Sequence, residues 1–138
     1  MPQPFHYSFK IRDLARCRKF YTQVLECREG RSTDTWIDFD FFGHQLSVHR
    51  SDHFPELDFC GEVDGIRVPI PHFGCVLDAS AFDALQARLE EASVEFLVRP
   101  RIRHEGLPGE QRTMFILDPD GNPLEFKTFS RPDEVFAT

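Results

Sequence analysis

The sequence predicts an α+β fold: two βαβββ modules forming a cup-shaped mixed sheet with helices on the outside. Three observations predict it. Several short stretches alternate apolar and polar residues, as strands with one buried face do. Two stretches with helical spacing each follow such a strand, so the order β-α-β-β-β occurs twice. The stretch from Phe115 to Phe129 reads as strand, turn and returning strand. In its Asp118-Pro119-Asp120-Gly121 turn, Pro119 presets φ and Gly121 accepts a positive φ without a Cβ clash.

Module 1 covers about residues 4–50. In its first strand Phe5, Tyr7, Phe9 and Ile11 lie on one face, and His6, Ser8 and Lys10 on the other. Asp13 is placed to cap a helix whose apolar positions are Leu14, Cys17, Phe20, Tyr21, Val24 and Leu25. Strands follow near residues 29–32, 35–41 and 45–49, with Asp40 to Gly43 turning between the last two. Residues 51–70 contain Pro55, Gly61, Gly65 and Pro69 with little periodicity, and read as a linker.

Module 2, about residues 71–130, repeats the order. His72 to Leu77 is a strand with Phe73, Cys75 and Leu77 on its apolar face. Ser80 to Asp83 reads as a capping box opening a helix lined by Phe82, Leu85, Leu89 and Ala92. Strands near residues 95–103, 111–117 and 123–128 complete the module. His6 corresponds to His72, and Gly43 to Gly121. The extra length of the second module falls in the loop from Pro100 to Gln111. A half-sized unit buries only one sheet face, so the two are expected to pair around a shared concave surface within a single domain, residues 1–138.

Composition narrows the function. The 138 residues carry a net charge of -7, which argues against nucleic acid as a partner. No apolar run reaches the length of a membrane span, and the N-terminal residues lack the basic and apolar regions of a signal peptide. Four cysteines, Cys17, Cys27, Cys60 and Cys75, show no paired spacing, as in a reducing compartment. A cytoplasmic protein with no membrane partner is expected.

The polar faces carry the chemistry: His6, Ser8 and Lys10; Gln45, Ser47 and His49; His72 and Gly74; Glu125 and Lys127. Antiparallel sheets often have one wet face, and Lys10, Gln45 and Lys127 fit that ordinary role. Two histidines at equivalent places, with a carboxylate on the last strand, fit something further. Neutral imidazole and carboxylate are ligands that divalent transition metals take, and such a set leaves positions open.

Three segments resemble the vicinal oxygen chelate superfamily, which groups glyoxalases, fosfomycin-resistance proteins, bleomycin-binding proteins and extradiol dioxygenases. They are Phe5-His6 leading into Arg12–Tyr21, the restart at Pro71-His72-Phe73-Gly74, and Phe115-Ile-Leu-Asp-Pro-Asp-Gly-Asn-Pro-Leu-Glu125. The resemblance implies His6, His72 and Glu125 as metal ligands. It implies a divalent ion: Fe2+ first, with Mn2+, Zn2+ or Ni2+ as alternatives. Ser47 falls where glyoxalase-type members carry a second Glu or Gln, which points away from lactoylglutathione lyase. The expected activity is dioxygenase-like, on a small vicinal-oxygen substrate such as a catechol, in a homodimer. His49 and His104 are candidate acid/base residues; Ser47, Arg103 and Arg112, with Arg101, are candidates for binding substrate. The alternatives are a glyoxalase- or fosfomycin-type lyase, isomerase or thiol transferase, and a metal-free drug-binding protein. One departure stands out: Met114 and Phe115 lie where an extradiol enzyme would have a Tyr.

Overall fold

The computed structural model describes residues 3–138, which divide into a first unit ending at Glu56 and a second beginning at Leu57. Each unit holds a four-stranded mixed sheet, and a separate two-stranded sheet lies in the second.

In the first unit, β1 (His6–Ile11) runs parallel to β4 (His44–Arg50), followed by antiparallel β3 (Trp36–Phe41) and β2 (Arg28–Ser32). Phe9, Ile11, Ile37, Phe39, Phe41, Leu46 and Val48 are buried from alternating strand positions, with Cys17, Phe20, Tyr21 and Leu25 among the buried helical residues. The Tyr21 ring stacks on Phe39 at 5.2 Å, tying helix to sheet. Asp13 caps α1 (Leu14–Lys19) by accepting the Arg16 N–H, as expected. The chain then widens into a π-helical stretch, Phe20–Val24, which continues the buried stripe of Phe20 and Tyr21. Phe5 lies just outside β1 and is exposed, so the apolar face begins later than its alternation predicts.

The second unit repeats this plan. β7 (Phe73–Val76) runs parallel to β10 (Pro123–Phe129), which pairs antiparallel with β9 (Gln111–Leu117), and β9 with β8 (Phe96–Arg103). Ser8 pairs with Ser47 in one parallel ladder, and Gly74 with Glu125 in the other. His6 and His72 each precede the first member of those pairs by two residues, so Ser47 and Glu125 hold corresponding places.

Two expectations are corrected here. Residues 51–70 are more than a linker: β5 (Gly61–Val63) and β6 (Ile66–Val68) form a hairpin around Asp64-Gly65, with φ of 50° and 81°. An Asp-Gly pair between alternating residues is a strong turn signal, but each strand is only three residues long. The cap of α2 (Ala79–Glu91) is Asp78, which accepts the Ala81 N–H at 2.8 Å; Ser80 lies within the helix and donates to Asp78. Phe82, Leu85 and Leu89 form the buried stripe of α2 as expected.

Candidate metal centre

Strand alternation gathers the second unit's polar side chains. On β10, Leu124, Phe126 and Thr128 share one face, and Glu125 and Lys127 the other. Across the ladder Phe115 pairs with Glu125 and Thr113 with Lys127, so these four lie on one face. His72 ends the approach to β7, two residues before Gly74.

His72 Nε2 lies 3.2 Å from Glu125 Oε1. The other ring nitrogen, Nδ1, is 2.8 Å from the Pro69 carbonyl oxygen. A carbonyl can only accept, so Nδ1 carries the proton. In the neutral ring the Nε2 lone pair therefore faces the carboxylate. Thr113 donates its hydroxyl to Glu125 Oε2 at 2.5 Å, and Lys127 Nζ stands 3.7 Å from the same oxygen. Phe115 packs against the imidazole in a T-shaped pair, with ring centroids 4.9 Å apart.

Glu125 is buried, unlike an ordinary solvated carboxylate on a wet sheet face. Burial pushes its carboxyl up, but the bonds from His72 and Thr113 and the charge of Lys127 leave it below the ordinary value. The hydrogen bond to Glu125 raises His72 against the opposing effect of burial.

A ring whose Nδ1–H is fixed on a carbonyl, and whose Nε2 is aimed at a carboxylate oxygen, is arranged as a metal-ligating histidine is. Two donors about 2.1 Å from one ion are separated by about 3.0 Å at an octahedral angle and about 3.4 Å at a tetrahedral one. The observed 3.2 Å lies between. The donor chemistry and spacing fit a divalent ion.

His6 is exposed on β1 in the first unit, with Nε2 3.4 Å from Ser8 Oγ. Among the described residues, neither unit by itself gathers three His, Cys, Asp or Glu side chains close enough to hold an ion.

Residues 3–126 match the model of the Glyoxalase/Bleomycin resistance protein/Dioxygenase superfamily. The chain belongs to that superfamily. A glyoxalase/bleomycin resistance protein/dioxygenase from Alicyclobacillus acidocaldarius is 31% identical, with a TM-score of 0.81 over 97% of this chain and 96% of that one. The fosfomycin resistance protein FosX from Listeria monocytogenes shares the fold at 17% identity, with a TM-score of 0.74 over 98% and 99%. A mutant of that FosX, complexed with Mn(II) and 1S,2S-dihydroxypropylphosphonic acid, is 16% identical with a TM-score of 0.72 over 98% of each chain.

Other residues that the superfamily resemblance singled out have distinct settings. Ser47 is buried and donates to Asp38 Oδ1 at 2.6 Å. Asp38 was missed, although alternation along β3 places it beside Ser47. Thr113 was missed in the same way. His49 is exposed at the end of β4, its ring 6.4 Å from that of Trp36. His104 is an exposed turn residue with φ of 54°, its carbonyl accepting from Leu107. Arg103 and Arg101 meet Asp64 at 3.2 and 3.7 Å. Arg112 binds Asp83 of α2 at 2.7 Å and lies over the Phe82 ring, on the face opposite Glu125. No helix among the described residues is long and apolar enough to cross a membrane.

Proposed function

We propose that this chain is a metal-dependent enzyme, with His6, His72 and Glu125 as ligands, acting on a small compound bearing two adjacent oxygens. The observation that carries the reading is His72 Nε2 held 3.2 Å from Glu125 Oε1 while Nδ1 is fixed on the Pro69 carbonyl. When bound, the divalent ion supplies Lewis acidity, which lowers the pKa of a substrate hydroxyl. The chain's own residues do the rest. The Pro69 carbonyl fixes the imidazole, and Thr113 and Lys127 hold the second Glu125 oxygen so that the first stays directed at Nε2. Phe115 packs against the imidazole. The Lys127 ammonium offers that face a positive charge for an anionic substrate oxygen.

Within this class we place the dioxygenase-like reading first, with Fe2+, because two histidines and one carboxylate leave positions open for substrate and oxygen. The second reading is oxygen-independent chemistry of the fosfomycin type. It is supported by the likeness to FosX, which has been complexed with Mn(II) and a compound carrying two adjacent hydroxyls.

The test begins with metal content. Protein purified without chelator is expected to hold about one divalent ion per chain, and Glu125→Ala to hold none. Full retention by the variant would overturn the site, and wild type that holds no metal would leave metal-free drug binding as the better account. Oxygen uptake with catechols on the Fe2+ protein supports the first reading; anaerobic loss of fosfomycin on the Mn2+ protein supports the second. Mixing His6→Ala with Glu125→Ala chains locates His6. Metal is recovered only where a homodimer shares ligands between copies.

A further inference from the structure

We infer that the β5–β6 hairpin positions His72 and that an ionic clasp at its tip, Asp64 with Arg103 and Arg101, holds it there. The inference rests on the metal-site reading for its consequence, but not for its geometry.

Three observations place the hairpin in control of the ring. Val63 and Val68, one from each strand, pack with Val98 and Phe115 in one buried cluster, flanked by Ile66 and Leu97. Phe115 belongs to that cluster and also packs in a T-shaped pair with the His72 imidazole. The residue directly after β6 is Pro69, whose carbonyl accepts from His72 Nδ1. One short hairpin thus supplies both the carbonyl that orients the imidazole and the packing behind the ring that meets it.

A three-residue hairpin has little stability of its own and needs an anchor. Its strands are held by the valine cluster, and its turn by Asp64. That carboxylate lies 3.2 Å from Arg103 Nε and 3.7 Å from an Arg101 terminal nitrogen, both on β8. Asp64 has a φ of 50° in the turn, a conformation that Asp and Asn tolerate better than other side chains. Changing Asp64 to Asn therefore removes the charge and leaves the turn intact. Both arginines of the clasp are thus engaged with the hairpin's turn.

The experiment compares wild type, Asp64→Asn and the double variant Arg101→Gln/Arg103→Gln, with Arg101→Lys/Arg103→Lys as the conservative rescue. The first readout is the 15N–1H signature of the His72 ring in metal-free protein at fixed pH. Wild type is expected to show a single Nδ1–H form with a slowly exchanging proton. The Asn and Gln variants are expected to show faster exchange and a mixture of ring forms, and Arg101→Lys/Arg103→Lys, which keeps both charges, to retain the wild-type signature. The second readout is Mn2+ affinity by titration. A loss of about threefold to tenfold is expected in the Asn and Gln variants, below the roughly tenfold to hundredfold cost of losing an outer partner outright, because the Pro69 carbonyl itself is kept. Unchanged ring spectra in both variants would overturn the positioning role. Wild type that binds no metal, with ring spectra that respond as expected, would sink the metal-site reading and leave the clasp standing.

Discussion

Gly74 lies against the backbone of Glu125 so closely that a β-carbon on residue 74 would fall 1.5 Å from the Glu125 carbonyl oxygen. The two are register partners in the parallel ladder of β7 and β10. This contact lets β7 approach β10, and with it lets His72 reach Glu125. Gly74→Ala must separate the strands. We expect a loss of about 3 kcal/mol in chemical denaturation, at the upper end of ordinary overpacking penalties. Metal binding should fall with it, whereas Gly121→Ala, at a positive-φ turn with open space around it, should lose stability but keep metal. Equal metal loss in both would show that the close approach at Gly74 has no special role.

The His72–Glu125 pair predicts a stability optimum in chelated protein. Glu125 titrates below its ordinary 4.5, so its contribution is present above that value and lost as pH falls through the lowered one. His72 titrates above its ordinary 6.5, so its contribution is complete below that value and lost as pH rises through the raised one. Denaturation midpoints should therefore peak between about pH 4.5 and 6.5, the ordinary values of a carboxylate and an imidazole. The peak should flatten in His72→Ala. An unchanged profile in that variant would assign the pH dependence to other groups.

Glu125→Gln keeps the shape of the side chain and removes the charge. His72 then loses the partner that raises it, and its titration midpoint by NMR should move down. Thr113 keeps an acceptor, so the fold should survive, and circular dichroism should be unchanged. Metal affinity should drop by at least about tenfold, as when a ligand rather than its support is lost. Wild-type affinity in this variant would remove Glu125 from the ligand set.

Helix capping separates two readings of one segment. Asp78→Ala removes the side chain that accepts the Ala81 N–H and should cost about 1 kcal/mol in chemical denaturation. Ser80→Ala loses only a hydroxyl bonded to Asp78, and should cost less than half as much. The reverse order would restore Ser80 as the cap.

Much of this molecule is determined by local pattern. Period-two alternation marks β1, β3, β9 and β10 because a strand puts successive side chains on opposite faces, whatever lies beyond it. Asp118 to Gly121 forces a turn by its own backbone preferences, and the spacing of Phe82, Leu85 and Leu89 makes a buried helical stripe. The same alternation placed Glu125 and Lys127 on one face, and the repeated order placed His6 and His72 at equivalent positions. What alternation does not carry is contact between residues far apart in the chain. Burial of Glu125, the Thr113 bond to it, the Pro69 carbonyl on His72 and the Arg112–Asp83 pair arise only when strands lie side by side in a particular register. The hairpin was legible in Asp64-Gly65 but too short to stand out; its packing on Phe115 came only from the tertiary fold. Secondary structure follows from neighbours along the chain, whereas the chemistry of a side chain follows from neighbours across it.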